Sequence, residues 1–321
     1  MKAHSSMVEI QDIYDAHKRI RDYALWTPVM TSSTIDKMTN CQVFFKCENF
    51  QRVGAFKFRG AFNTVSQLTK DERERGVVAH SSGNHAQALA LAASILGIKA
   101  TIVMPKNSPK VKVNATRGYG AEIVFCENST ESRVQIANDL IKEHNYVLIH
   151  PYNDERIIAG AGTAALELIE EVEELDSVFA PVGGGGLLSG TSIATKGLCP
   201  AASVIGVEPK NADDAFRSFR DGVIHPSVKP NTIADGLRTQ LGDITFRIIR
   251  EYVDSIVTVS EKGIIDAMKL LWERMKLVVE PSGAVSLAGL LRMNDELNDK
   301  RVGVIISGGN IDLTGFFSKL L

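Results

Sequence analysis

The sequence predicts an α/β protein with a mostly parallel sheet and helices on both of its faces. Short apolar segments typical of buried strands alternate with helix-like segments along the 321 residues, and this alternation indicates parallel strands joined by crossover helices. Several apolar segments end in turns rich in glycine, serine and asparagine, which is where ligand sites lie in such folds. A chain of this length can bury a sizeable core and is long enough for about two domains.

The predicted elements follow one another in a regular order. In the first half of the chain, apolar residues at helical spacing and runs rich in good helix formers predict helices at 8–25, 85–96, 107–118 and 131–144. Short apolar runs predict strands at 43–47, 76–80, 99–105, 121–126 and 146–149. Later strands are predicted at 177–182, 203–208, 255–259 and 301–306, with helices between them.

Composition and charge argue against several classes of function. The formal net charge is −2 without a long basic run, so neither nucleic acid nor an anionic membrane surface is expected as the main partner. No apolar stretch has the length of a membrane span, and the first nine residues lack the apolar centre of a signal peptide. The four cysteines form no Cys-x-x-Cys pair, which predicts reduced thiols in a cytoplasmic protein without disulfides or zinc.

Four consecutive glycines, Gly183, Gly184, Gly185 and Gly186, lie between a predicted strand and a helix-like stretch. Glycine loses more conformational entropy on ordering than any other residue, so four in a row need a structural reason. Their backbone N–H groups can turn inward and, with the N-terminus of the next helix, hold a phosphate. A flexible tether or a tight turn is the alternative, but tethers are polar and apolar residues flank this segment. The context therefore favours a phosphate site.

A second glycine motif, Gly160-Ala-Gly162-Thr-Ala-Ala165, matches the dinucleotide fingerprint with alanine at its last position. That fingerprint needs a preceding strand, whereas the segment 152–158 is short and polar. We therefore expect a helix start after a tight turn at this motif. The run at 183–186 also lacks the Gly-Lys-Ser or Gly-Lys-Thr of a P-loop.

Lys57 is flanked by Phe56 and Phe58, which is unusual for a solvated lysine. Desolvation lowers the pKa of a lysine, and the neutral amine can then form a Schiff base with a carbonyl cofactor. Taken alone, the segment fits somewhat better a lysine whose stem lies on an apolar surface and whose head is in water. A phosphate site together with a sheltered lysine suits pyridoxal phosphate, which needs an anion site and an aldehyde anchor.

Six motifs identify the chain as similar to a known family. They are Gly54-Ala-Phe-Lys-Phe-Arg-Gly-Ala61, Ser81-Ser-Gly-Asn-His-Ala-Gln87, Thr232-Ile-Ala-Asp-Gly236, Ser307-Gly-Gly-Asn310 and the segments 44–51 and 183–186. Over nearly its whole length the chain resembles the serine racemase and serine/threonine dehydratase family of fold-type II pyridoxal-phosphate enzymes. The resemblance implies two open, twisted, mostly parallel sheets. It also implies a large cofactor-binding domain at 1–75 plus 152–321 and a small mobile domain at 76–151.

The resemblance also implies how the cofactor is held. Lys57 would form the Schiff base and remove the Cα proton of the substrate from one face. The other cofactor contacts would be Phe56, Asn84, Gly183, Gly184, Gly185, Gly186, Leu187, Gly236 and Ser307. A serine at the pyridine nitrogen stabilises the protonated ring less than a carboxylate would, so the ring is a weaker electron sink. The alternative is that Ser307 has no contact with the cofactor and only begins a helix after a strand.

Ser82 separates two activities that the resemblance allows. Racemisation needs a proton donor on the face opposite the base, and many dehydratases of the family carry alanine where Ser82 stands. The implied function is racemisation of L-serine to D-serine with β-elimination to pyruvate and ammonia. The alternatives are a serine, threonine or 3-hydroxyaspartate dehydratase with little racemisation, and an inactive pyridoxal-binding or nucleotide-sensing protein. The implied substrate contacts are Ser81, Ser82, Gly83, Asn84, His85 and Arg133, the last of which has a solvated helix arginine as its alternative.

Two further ligands follow only from the resemblance. Mg²⁺, or Mn²⁺ or Ca²⁺, would bind Glu208, the Ala212 carbonyl and Asp214, because hard cations take carboxylate and carbonyl oxygens. Asp213 is the alternative ligand, and a solvated acidic turn is the alternative structure. ATP would act as an allosteric ligand at the interface of a homodimer. Its implied contacts are Ser32, Ser33, Thr34, Arg52, Gln87, Tyr119, Lys276 and Asn310.

Overall fold

The computed structural model describes residues 8–293 and 297–313, except for the Thr130 side chain. The ends of the predicted large domain, 1–7 and 314–321, and its internal segment 294–296 lie outside the described residues. The strands are β1 Val29–Met30, β2 Gln42–Cys47, β3 Val77–His80, β4 Ala100–Pro105, β5 Glu122–Cys126, β6 Val147–Leu148, β7 Ser177–Pro181, β8 Ser203–Pro209, β9 Ser255–Val259 and β10 Arg301–Ile306.

The strands form two sheets, as the sequence predicted. The first has the order β1-β2-β10-β7-β8-β9 and the second has the order β5-β4-β3-β6. All neighbouring strands are parallel except β1, which pairs antiparallel with β2. β1 was not predicted, because two residues carry no periodic pattern. The second sheet draws its strands from 77–148, and the division of the chain at 75/76 and 151/152 stays a prediction.

Helices cover both faces of each sheet. They are α1 Ile10–Ile20, α2 Ser33–Thr39, α3 Lys57–Ser66, α4 Lys70–Arg75, α5 Asn84–Ile95, α6 Lys110–Gly118, α7 Thr130–His144, α8 Glu155–Val172, α9 Gly186–Leu198, α10 Asp214–Asp221, α11 Asp243–Tyr252, α12 Glu261–Met275 and α13 Pro281–Met293. On the six-stranded sheet, α8 and α9 bury one face while α12 and α13 bury the other. Each fully buried leucine contributes about 1.5–3 kcal/mol. Among the helices described, none is both long and apolar enough to cross a membrane.

The first helix is shorter than predicted. It was expected at 8–25 but ends at Ile20, where the chain tightens: the Tyr23 N–H donates to the Ile20 carbonyl, three residues before it, at 2.8 Å. This turn stops the regular helical pattern. The other predicted elements lie within a few residues of the observed ones.

Gly160 and Gly162 lie inside α8, so the expected helix start at this motif was wrong. α8 begins at Glu155 because the Asp154 side chain accepts a hydrogen bond from the Arg156 N–H at 2.8 Å. A Cβ at Gly160 would lie 2.7 Å from the Arg59 carbonyl oxygen, and one at Gly162 would lie 2.8 Å from the oxygen of Gly190. The two glycines therefore let α8 pack closely against α3 and α9.

A buried cluster of four charged side chains fixes the first turn of α3, which begins at Lys57. Arg59 donates to both oxygens of Glu48 at 2.7 and 2.8 Å and to both oxygens of Glu167 at 2.6 and 2.7 Å. Lys46 lies 2.7 Å from Glu167, and each of the four side chains is at most 4% exposed. Although burial opposes it, Arg59 holds the pKa of Glu48 below its usual value. The charges balance, so the cluster ties α3 to β2 and α8 without an unpaired charge.

Candidate active site

Lys57 is held at the start of α3 in a sheltered position. Its Nζ donates to the Pro151 carbonyl at 2.6 Å and lies 5.0 Å from the centre of the Phe56 ring. Burial lowers the pKa of Lys57 to about 8. The amine is therefore far easier to deprotonate than an ordinary lysine, which suits both a Schiff base and a proton acceptor. Lys57 is therefore not the lysine with its head in water that the segment alone favoured.

Two histidines, His85 and His150, lie within the electrostatic reach of the lysine, and a third, His80, lies near both of them. Only His85 was singled out from the sequence. Burial, with the charge of Lys57, lowers the pKa of His85 to about 3, and its Nε2 lies 3.0 Å from the Ile149 carbonyl. Burial, with the charges of His80 and Lys57, lowers the pKa of His150 to about 4. His80 ends β3, and burial lowers its pKa as well. His80 and His150 could have been found as polar residues at the ends of predicted strands.

The glycine run forms an open backbone cradle at the end of β7. None of the N–H groups at 183–186 donates to a backbone carbonyl of the described residues, and α9 begins directly at Gly186. A Cβ at Gly184 would overlap the Tyr152 ring, and one at Gly185 would lie 2.8 Å from Thr245. Free N–H groups, a helix N-terminus and no room for side chains fit a phosphate. Tyr152 and Thr245 line the cradle, and neither was among the cofactor contacts that the resemblance implied.

Asn84, the first residue of α5, joins the two sheets of the molecule. Its amide Nδ2 donates to Glu280 at 2.7 Å, and its Oδ1 accepts from Asn310 at 2.9 Å. These contacts fix which end of the amide faces which neighbour. Burial, with the charge of Asp235, raises the pKa of Glu280 to about 7. Glu280 was not singled out from the sequence, where it is one acidic residue between an apolar run and a proline.

Phe56, Gly236 and Ser307 are brought together, as implied for residues around the cofactor ring. The Phe56 N–H donates to the Ser307 carbonyl at 3.1 Å. The Ser307 hydroxyl donates to the Ser282 carbonyl at 3.4 Å, and the Gly236 N–H donates to the Ser282 hydroxyl at 3.1 Å. Ser282 was not predicted, and it links the two segments.

The implied substrate-binding turn runs from Ser81 into α5. The Ser81 hydroxyl accepts from the Gly83 N–H at 3.3 Å, and Ser82 is half-buried beside it. The N-terminus of α5 makes this turn a favourable place for a carboxylate. Arg133, on α7, contributes to lowering the pKa of His80 after burial, so it lies near the carboxyl end of β3.

Glu208 and Asp214 form a buried acidic pair. Glu208 accepts from the N–H groups of Ala215 and Phe216 at 3.0 and 2.8 Å, whereas neither carboxylate oxygen of Asp214 has a hydrogen-bond partner in the described residues. Burial and Asp214 raise the pKa of Glu208 to about 9, and burial raises that of Asp214 to about 6. Two such acids fit a hard cation. Asp213 is paired with Arg217 at 2.9 Å instead.

The described residues contain no group of three His, Cys, Asp or Glu side chains placed to hold a metal. A cation at Glu208 and Asp214 therefore needs further oxygen ligands from the backbone or from water. The Ala212 carbonyl was implied for this purpose, and Ala212 lies in the short 3₁₀ turn that directly precedes Asp213.

The implied ATP contacts are only partly assembled in one chain. Gln87 and Asn310 line a cavity of about 90 Å³, and Asn310 donates to the carbonyl of Val53, next to Arg52, at 2.6 Å. Tyr119 packs against the same hydrophobic cluster as Val53. The other implied contacts do not line this cavity; they are Ser32, Ser33 and Thr34 at the start of α2, and Lys276 at the end of α12.

Comparisons with known proteins show which family the chain resembles. Residues 20–308 match the family described as pyridoxal-phosphate dependent enzyme. The chain is 52% identical to the L-threo-3-hydroxyaspartate ammonia-lyase of Saccharomyces cerevisiae, over 94% of this chain and 93% of that protein. It is 49% identical to the serine racemase of Dictyostelium discoideum, over 98% of each chain.

The fold is also similar to that of a solved relative. The crystal structure of the serine racemase from Dictyostelium discoideum superimposes with a TM-score of 0.92 at 48% identity, covering 96% of this chain and 100% of that one. The chain therefore belongs to the family of pyridoxal-phosphate dependent enzymes, and the predicted fold-type II architecture is confirmed.

Proposed function

We propose that the protein racemises L-serine to D-serine and also eliminates water from serine to give pyruvate and ammonia. The observation that carries the proposal is the sheltered Lys57 amine, which donates to the carbonyl of Pro151, next to the Tyr152 ring that lies against the cradle at 183–186. Relatives named serine racemase and L-threo-3-hydroxyaspartate ammonia-lyase, at 49% and 52% identity, support these two activities. An amino-acid substrate is consistent with both.

Each residue of the proposed site has its own role in the reaction. When bound, pyridoxal phosphate supplies the electron sink that acidifies the Cα–H bond of an amino acid. Lys57 takes the Cα proton at Nζ from one face, since burial lowers its pKa to about 8. Ser82 exchanges a proton on the opposite face. The 81–84 turn and the N-terminus of α5 bind the substrate carboxylate, and the neutral hydroxyl of Ser307 leaves the ring nitrogen without a stabilising charge.

Replacing Ser82 by alanine tests the assignment of racemisation. The Ser82→Ala enzyme should form D-serine at least about 100-fold more slowly, since a positioned acid or base contributes that much. Pyruvate release from L-serine should survive, because it uses only the Lys57 face. Chiral chromatography and a pyruvate assay on the same samples measure both rates. Racemisation at the wild-type rate would show that Ser82 is not the second proton carrier.

The alternative function is a dehydratase for serine, threonine or 3-hydroxyaspartate with little racemisation. The 52% identity to a hydroxyaspartate ammonia-lyase favours keeping it. The same chiral assay on the wild-type enzyme separates the two functions. Abundant pyruvate with little D-serine would favour the dehydratase.

We propose Mg²⁺ at Glu208, the Ala212 carbonyl and Asp214, supported by the two unpaired oxygens of buried Asp214. A ligand at 100 times its Kd stabilises the folded state by about 2.7 kcal/mol, so chelation with EDTA should lower Tm by several degrees. Asp214→Asn should abolish this response, whereas Asp213→Asn should retain it, because Asp213 pairs with Arg217. Equal Tm values with and without EDTA would exclude the site.

We also propose a cytoplasmic homodimer that binds ATP, on the family resemblance and on the cavity lined by Gln87 and Asn310. Sedimentation velocity tests the dimer, and titration calorimetry with ATP tests the binding of the nucleotide. A monomer that gives no calorimetric signal with ATP would exclude them.

A further inference from the structure

His150 lies between two backbone groups that hold active-site side chains. It follows β6, which pairs with β3 through Val147 and Leu148. The carbonyl before it, of Ile149, contacts His85 at 3.0 Å, and the carbonyl after it, of Pro151, accepts from Lys57 at 2.6 Å. Its imidazole therefore lies at the carboxyl end of the four-stranded sheet, within the electrostatic reach of Lys57.

The structure fixes the tautomer of His150. Its Nδ1 accepts hydrogen bonds from the backbone N–H groups of Asn153 at 2.8 Å and Tyr152 at 3.3 Å. A nitrogen that accepts cannot carry the proton, so in the neutral ring the hydrogen is on Nε2. The Tyr152 ring stands edge-on to the imidazole, with centroids 4.7 Å apart and an interplanar angle of 89°. The ring is thus held in one plane.

The Nε2–H of His150 is left as a donor for a ligand. Among the residues that the structure describes, none accepts a hydrogen bond from it. The two backbone donors and the burial of the ring oppose protonation of Nδ1. His150 therefore presents a fixed, neutral N–H group rather than a mobile proton, and such a group orients an oxygen without consuming it.

We propose that His150 is a specificity-determining residue whose Nε2–H donates to the oxygen on the Cβ of the substrate. The site would then select amino acids with a β-oxygen substituent, the class to which serine, threonine and 3-hydroxyaspartate belong. This inference rests on the proposed function, since it assigns one further contact to the same substrate. A bound substrate would exclude water from this half-buried N–H group, and a donor that then lacks an acceptor is costly. Analogues without the β-oxygen should therefore react more slowly.

Two substrates with different leaving groups isolate this contact. L-Serine gives pyruvate and ammonium, and its β-oxygen leaves as hydroxide that must be protonated. β-Chloro-L-alanine and water give pyruvate, ammonium, chloride and a proton, and chloride leaves without a hydrogen bond. Both present the same Cα proton, amino group and carboxylate to the enzyme.

Two variants of His150 separate its two nitrogens. In His150→Asn, the amide oxygen replaces Nδ1 as acceptor for residues 152 and 153, and the Nε2 donor is lost. In His150→Gln, an amide N–H takes the place of Nε2–H. We expect His150→Asn to lower kcat/KM for L-serine elimination about 10–100-fold and to change that for β-chloro-L-alanine less than about threefold. His150→Gln should recover part of the L-serine activity. His144→Asn, at an exposed position on α7, is the matched control.

The visible absorbance of the bound cofactor, recorded for each variant, shows whether the loop and Lys57 are intact. An equal loss with both substrates would show that His150 only maintains the loop, and unchanged activity with both would show that Nε2–H makes no contact. Either result overturns this inference and leaves the proposed function unaffected. A wild-type enzyme that binds the cofactor yet converts neither amino acid would overturn the proposed function as well.

Discussion

Lys57 owes its reactivity to its surroundings. The two flanking phenylalanines left a sheltered and a solvated lysine both open, and the structure adds the Pro151 carbonyl, 94 positions away along the chain. No local pattern could have identified that partner. Burial disfavours the charged ammonium, so Lys57 in the folded protein loses its proton at a lower pH than a lysine in water.

Competitive acetylation of the cofactor-free enzyme tests this lowered pKa. Only the neutral amine reacts with acetic anhydride, so the rate at Lys57 should rise with pH and level off above pH about 8. The acetylation rate of Nα-acetyl-lysine in the same mixture should keep rising until the pH reaches its ordinary pKa of about 10.4. Mass spectrometry of the peptide that contains Lys57 follows the reaction. A profile that coincides with the free amino acid would contradict the sheltered state.

The position of the cradle at 183–186, between β7 and α9, was predicted from the sequence, whereas the side chains that line it were not. Four consecutive glycines indicate a backbone segment that has no room for side chains. The strand before them and the helix after them were predicted from their apolar patterns. Tyr152 and Thr245, which lie against Gly184 and Gly185, come from distant segments without a glycine signal. Gly160 and Gly162 were expected at a helix start and instead lie inside α8, because no local pattern distinguishes glycines that allow close helix packing from glycines of a turn.

Replacing Gly184 by alanine should weaken cofactor binding at least about tenfold. The new Cβ would overlap the Tyr152 ring, so either the ring or the loop must move, and a shifted loop no longer directs its N–H groups at one point. Fluorescence titration with pyridoxal phosphate measures the Kd. Gly118→Ala is the control, since a Cβ there meets nothing within 4 Å. An unchanged Kd in Gly184→Ala would mean that the loop is not the phosphate site.

At the scale of the whole molecule, contacts between distant segments hold the two sheets around the site. Asn84 reaches Glu280 and Asn310, and Lys112 on α6 lies 2.6 Å from Asp235, next to Gly236. The sequence allowed the class of fold to be predicted, because strand and helix periodicities are local. It did not reveal these side-chain contacts, because their partners lie more than a hundred residues apart and meet only when the chain packs.

The buried cluster around Arg59 makes the stability of the whole protein depend on one guanidinium. Arg59→Met leaves Glu48 buried without its cation, while Lys46 still faces Glu167. Removing one partner of a buried ion pair costs about 3–5 kcal/mol, so the free energy of unfolding measured in urea should fall by that amount. Arg75→Met, which breaks an exposed pair with Asp71, should change it by less than about 0.5 kcal/mol.

A second substitution separates lost charge balance from lost packing. In the double variant Glu48→Gln with Arg59→Met, the cluster regains neutrality, because only Lys46 and Glu167 remain charged. Part of the lost free energy of unfolding should return, since a neutral amide costs less to bury than a carboxylate. A double variant no more stable than Arg59→Met would attribute the loss to packing around the guanidinium. Recovery would show that charge balance stabilises the turn that carries Lys57.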